Sequence, residues 1–216
     1  MERLKSLDPP HKGLRNALGK ITLLAGKTNY MSKESVDHLK SIGSEVFKLL
    51  KDHSKTEDKY ILAPLEIKNP GYTSKYLGEH DAFEKFEQSL EEKLMSFNGM
   101  QSNEEGHAFY LGLCEFQSEY LNHLDIEDLE LESEMQKYFS DAELMEHQIQ
   151  IMQAMDFDML LLWFKYIVPA RRPDENAQVL TGFKSAVPEE VFNLVLDVIR
   201  KELTESELKE ILALVQ

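Results

Sequence analysis

Apolar residues recur at intervals of three and four along almost the whole chain, which predicts one amphipathic helix after another and no strands. In the first segment Asp8 precedes Pro9 and Pro10, which reads as an N-cap with prolines in the opening turn, and Leu14, Leu18, Ile21 and Ala25 form a stripe that fades near Gly26. Ser32 caps the second, whose stripe runs Leu39, Val46, Leu50, His53, Glu57 and Ile61 until Pro64 or the Asn69-Pro70-Gly71 cluster ends or kinks it. A third stripe, His80, Phe83, Glu87, Leu90, Leu94 and Phe97, begins near Tyr76 and stops at Asn98-Gly99. The fourth segment opens on a capping box, Ser102 with Glu105, and carries Phe109, Leu113, Phe116, Tyr120, His123, Glu127 and Leu131 on one face over roughly 35 residues.

A fifth helix is expected from a second capping box, Ser140 with Glu143, up to Pro169, turning strongly apolar at Leu160-Leu161-Leu162-Trp163-Phe164. Past Arg171-Arg172-Pro173 the pattern reads as two or three short helices, with Pro188 near the start of one and Thr204 with Glu207 capping the last. The links between the first four segments are short enough for antiparallel neighbours. The expected fold class is all-α, an up-down four-helix bundle followed by additional C-terminal helices. The Trp163-Phe164 cluster is expected to pack on the bundle, a homodimer surface being the alternative.

Polar residues interrupt these stripes at specific places. His11, His53, His80 and His123 each lie in the apolar face of a different segment, and Glu57 and Glu127 follow two of them by four residues. Residues four apart on a helix stand one above the other, so each pair aims an imidazole and a carboxylate in one direction. The spacing decides little: chance places about one His-x-x-x-Asp/Glu pair in a chain of this composition, against three here counting His80 with Glu84. Location decides more, because a carboxylate aimed into a core without a partner costs several kcal/mol and calls for a cation or close donors. Any one of these histidines alone would read as an ordinary buried imidazole bonded to a neighbour. Six such residues converging from four helices read as a metal site. His38, His107 and His147 lack an acidic residue four positions on and are read as surface residues.

Mixed imidazole and carboxylate ligation suits iron, manganese or zinc better than magnesium or calcium. Four histidines and two glutamates exceed what one tetrahedral zinc takes. Two octahedral irons bridged by Glu57, Glu127 and one solvent oxygen would use all six side chains and leave positions for a small molecule. Ferritin-like di-iron bundles need two Glu-x-x-His motifs inside helices, and Glu104-to-His107 is the single instance. Gly26-Lys27-Thr28 lacks the earlier glycine of a phosphate loop and reads as a helix end.

The net charge of −15 disfavours nucleic acid and anionic membrane as partners. With Cys114 as the only cysteine, neither a disulfide framework nor a thiolate metal site can form within the chain, which suits a reducing, cytoplasmic setting. The first ten residues hold no apolar signal core, and the apolar run from Met159 to Phe164 is too short to span a bilayer.

The set of motifs resembles the hemerythrin-like, or HHE, cation-binding family. The matching pieces are Pro10-His11-Lys12-Gly13-Leu14-Arg15, Asp52-His53 through Glu57-Asp58, Glu79-His80-Asp81-Ala82-Phe83, and Asn122-His123 through Glu127-Asp128, which together cover roughly residues 1 to 138. The resemblance implies a four-helix bundle holding a non-haem di-iron centre that binds or senses oxygen or iron, or handles nitric oxide or peroxide. His11, His53, His80 and His123 would then be terminal ligands, and Glu57 and Glu127 would bridge. Oxygen-carrying members have a second histidine one turn from the first on the third helix. Here Tyr76 and Glu84 stand in those places, which is similar to iron-sensing members, with Glu84 or solvent making up the coordination. Residues 139 to 216 resemble a C-terminal extension seen on some bacterial relatives, most clearly at Ser185 to Phe192.

The expected function is accordingly that of a di-iron protein that binds or senses O2 or a related small molecule. The alternatives are a di-iron enzyme acting on peroxide, nitric oxide or ferrous iron, and a metal-free helical interaction module.

Overall fold

The computed structural model describes residues 3–215, which are helical throughout with no strand among them. Helix α1 spans Asp8–Lys27 and α2 spans Lys33–Glu57, after which the chain passes through a π-helical turn, Asp58–Leu62, into α3, Ala63–Lys68. Helix α4 covers Ser74–Ser96, and α5, Asn103–Ile126, runs through a second π turn, Glu127–Leu131, into α6, Glu132–Tyr138. Then follow α7 (Asp141–Ala154), α8 (Phe157–Ile167), a 3-10 turn (Val168–Ala170), α9 (Pro173–Ala186), α10 (Glu189–Ile199) and α11 (Glu205–Leu214).

The capping boxes at Ser102, Ser140 and Thr204 form as expected, each hydroxyl accepting from the backbone three residues on. Asp8 is not a cap: the N-cap is Leu7, and Asp8 pairs with Lys12 at 3.0 Å instead. A cap at Asp8 would need the N–H of Pro10 or His11, but Pro10 has none and His11 N donates to Leu7 O at 3.1 Å as the first turn of the helix. Pro64 does not end the second helix either, since the π turn and α3 carry the chain on to Lys68. The single fifth helix expected up to Pro169 is two helices, because Asp156 accepts from Met159 N at 2.8 Å and restarts the chain as α8.

Helix α1 packs on α2 and α5, and α4 packs on the same two, closing a ring. Gly43 lets α2 and α4 approach, since a Cβ there would stand 2.3 Å from Leu94 Cδ2. Each of these helices connects two apolar clusters. One contains Leu14, Ile21, Leu50, Leu90, Phe116 and Leu124, and the other Leu7, Ile61, Leu65, Tyr76, Leu131 and Met135. Along the chain, α1 and α4 pass from the second cluster to the first, while α2 and α5 with their π turns pass from the first to the second.

Helix α8 has two working faces. Trp163 and Tyr166 join the core between the long helices, whereas Phe164 and Val168 join a third cluster with Leu180, Phe192, Ile199 and Ile211. Trp163 Nε1 donates to Asp52 Oδ2 at 2.8 Å and the Tyr166 hydroxyl donates to Glu45 Oε2 at 2.7 Å, tying the C-terminal helices to α2. Among the described residues no helix is long and apolar enough to cross a membrane.

Candidate metal centre

Between the two apolar clusters lies one polar layer. On α2 and α5 the inward residues repeat every four positions, His53, Glu57, Ile61, Leu65 and His123, Glu127, Leu131, Met135. In an unbroken α-helix such a repeat drifts by about 40° per step. The wider π turns, in which Ala63 N donates to Asp58 O and Glu132 N to Glu127 O, begin at this layer and absorb part of the drift. One face therefore carries ligands and apolar anchors alike.

All six residues expected to ligate are brought into this layer, at 0% exposure for His11, 3% for His53, 2% for Glu57, 5% for His80, 2% for His123 and 0% for Glu127. The Nε2 atoms of all four histidines and both oxygens of each glutamate are buried without a hydrogen-bond partner. His123 Nε2 lies 3.1 Å and His80 Nε2 3.4 Å from Glu127 Oε1, His11 Nε2 lies 3.6 Å from Glu127 Oε2, and His53 Nε2 lies 3.1 Å from Glu57 Oε2.

These atoms fall into two groups, His11, His53, Glu57 and Glu127 in one and His80, His123 and Glu127 in the other, with ligand atoms within 4.8 Å of one another in each. Ligands around one ion at about 2.1 Å are separated by at most about twice that, so the spacing suits a bound cation after slight contraction. Glu127 belongs to both groups and Glu57 to one. The imidazoles pair likewise, His11 edge-on to His53 and His80 edge-on to His123, each with centroids 5.1 Å apart.

A ring of carboxylates supports the histidines from behind. His11 Nδ1 donates to Asp128 Oδ1 at 2.7 Å, His80 Nδ1 to Asp58 Oδ1 at 2.6 Å, and His123 Nδ1 to Glu79 Oε2 at 2.8 Å. A proton held on Nδ1 leaves the Nε2 lone pair pointing into the site, the tautomer a metal requires. Arg15 Nη2 in turn donates to Asp128 Oδ2 at 2.8 Å and to Asp125 at 2.7 Å, fixing the support of His11. Sequence reasoning gave Asp58, Asp128 and Glu79 no role, although each stands next to a ligand in the chain.

Burial, reinforced by the Glu127 charge, raises the Glu57 carboxyl well above the usual range. For Glu127 burial acts upward too, but His123 and His80 outweigh it and hold this carboxyl well below that range. His53 is pushed well below an ordinary imidazole by burial and by His11. Burial also opposes charge on His80, yet Asp58 and Glu127 bring it up to about 10. The Glu57 and His53 shifts express the cost of charge in a buried layer, whereas His80 and Glu127 shift because each faces opposite charge; a cation in the layer would meet the same carboxylates in place of the imidazole protons. The orphaned donor set thus fits a bound metal ion.

Of the residues flanking His80, Tyr76 is fully buried one turn earlier with its hydroxyl unpartnered, whereas Glu84 is exposed and does not join the layer. His38 and His107 are on the surface as expected. His147 is half-buried, its ring packed edge-on against Phe139 and its Nδ1 covered. Comparisons with protein-family models, curated proteins and solved structures return no match.

Proposed function

We propose that this protein is a hemerythrin-like, non-haem di-iron protein that binds or senses a small molecule such as O2. The observation that carries the reading is the buried layer itself, in which six ligand side chains from four helices present unpartnered donor atoms in two groups that share Glu127. The opposite senses in which α1 and α4, and α2 and α5, pass between the apolar clusters support an up-down four-helix arrangement. Two irons, when bound, would supply a Lewis-acidic, redox-active pair.

The chain's own part is to hold and isolate that pair. Asp58, Asp128 and Glu79 keep three imidazoles in the ligating tautomer, and the apolar clusters above and below exclude bulk water. Protein purified from iron-supplied cells should carry close to two irons per chain and show ligand-to-metal absorption in air. Iron far below that, with no such absorption, overturns the reading.

A second reading, a di-iron enzyme that turns over peroxide, nitric oxide or ferrous iron, is favoured by the exposure of Glu84, which leaves the group of His80, His123 and Glu127 one ligand short of the other. Turnover assays with each substrate separate it from reversible binding.

A further inference from the structure

Three of the four histidines in the metal layer hold Nδ1 against a carboxylate, and the fourth, His53, does not. Its Nδ1 finds no hydrogen-bond partner among the described residues. The Nε2 atom of the same ring is fully covered, whereas Nδ1 keeps accessible surface although the side chain as a whole is only 4% exposed.

That surface opens into a cavity of about 230 Å³ whose wall includes His53. The half-exposed Met152 and Val179 stand at its rim, and Met155, Leu160 and Trp163 give it an apolar lining. At roughly 30 Å³ per water molecule the space equals about eight water volumes, far more than a diatomic gas occupies. An apolar cavity of about 150 Å³ already takes up benzene, so there is room here for a guest of roughly seven to ten non-hydrogen atoms.

When Nε2 of a histidine ligates a metal ion, the ring's one proton sits on Nδ1 and needs an acceptor, which the protein almost always supplies. At His53 the acceptor is left to whatever fills the cavity. Asp52, adjacent to His53 in the chain, and Glu57, one turn further on, belong to the same wall, and the wall's guanidinium, Arg171, is paired with Glu175 at 3.6 Å. A carboxylate guest reaching His53 would meet like charge, and a neutral oxygen would not.

We propose that this cavity binds an uncharged, largely apolar molecule with one acceptor oxygen, a ketone or ester of about seven to ten non-hydrogen atoms, which takes the Nδ1–H of His53. The guest does for His53 what Asp128, Asp58 and Glu79 do for the other three histidines. The pocket stands without bound metal, because a neutral imidazole can place its proton on Nδ1 to meet the guest. Its influence on the centre rests on the di-iron reading.

The test titrates acetophenone, ethylbenzene and benzoate calorimetrically into the full metal-free chain. Acetophenone is expected to bind in the millimolar range or tighter, with benzoate weaker by about tenfold or more. His53→Phe, which keeps an aromatic ring but removes Nδ1–H, should weaken acetophenone by about three- to tenfold and leave ethylbenzene no weaker. Met152→Trp, which fills the cavity from the rim, should weaken both. In the parent, acetophenone and not ethylbenzene should shift the nitrogen NMR resonance of His53 Nδ1, a reading that needs no variant. Acetophenone that fails to bind at millimolar concentration, binds Met152→Trp as well as the parent, loses no more than ethylbenzene in His53→Phe, leaves the Nδ1 resonance unmoved or is matched by benzoate overturns the proposal. Normal iron loading without acetophenone binding counts against the pocket alone, and acetophenone binding without iron loading counts against the metal reading alone.

Discussion

Asp58 stands directly after Glu57 in the chain, yet it accepts a hydrogen bond at 2.6 Å from Nδ1 of His80 on another helix. Asp128, directly after Glu127, does the same for His11 at 2.7 Å. Each pair of adjacent acids thus serves both halves of the layer, the glutamate turned inward with its own helix's histidine and the aspartate supporting a histidine across the bundle. This crossed arrangement couples the two groups of ligands mechanically.

Removing the supporting carboxylates should therefore weaken metal binding without unfolding the chain. Asp58→Asn and Asp128→Asn are each expected to lower iron affinity by about 10- to 100-fold. Competition with a chelator gives the affinity, and circular dichroism of the metal-free variants checks the helices.

The two glutamates should differ. Glu127 belongs to both ligand groups and Glu57 to one, so Glu127→Gln is expected to abolish iron loading, while Glu57→Gln keeps about one ion per chain. Equal losses of iron in the two variants, measured by elemental analysis, would contradict this assignment.

Without metal the same layer costs stability. Glu57 buries two unpartnered oxygens, and replacing it by methionine should stabilise the metal-free protein by about 1–3 kcal/mol in urea unfolding. The variant should at the same time lose the rise in thermal midpoint that added ferrous iron gives the parent.

Glu87, buried on α4 at 3% exposure, gives a pH signature away from the ligands. Burial raises its carboxyl to about 8, Lys51 only partly offsetting it. Between the ordinary carboxyl range and that value the folded chain binds more protons than the unfolded chain, so stability falls as pH rises through this window and levels off above it. Glu87→Gln should flatten the profile, matching the parent in mild acid and exceeding it by a few kcal/mol in mild alkali, read from urea midpoints across the range.

Much of this protein is written in local periodicity. Helix positions, three capping boxes and the inward direction of His11, His53, His80, His123, Glu57 and Glu127 follow from spacing alone, because capping and amphipathic faces are decided within one or two turns of chain. Other features were out of reach for the same reason. That His11 meets Asp128 across 117 positions, that π turns begin at the ligand layer, that α8 divides its faces between two cores, and that His147, Arg171 and Asn176 wall a cavity beside His53 all depend on how helices dock. Docking is set by the summed burial of many side chains, as at Gly43 against Leu94, where the absence of a Cβ sets the distance between two helices. The chain's periodicity says which residues turn inward, and only the packing of the helices says which of them meet.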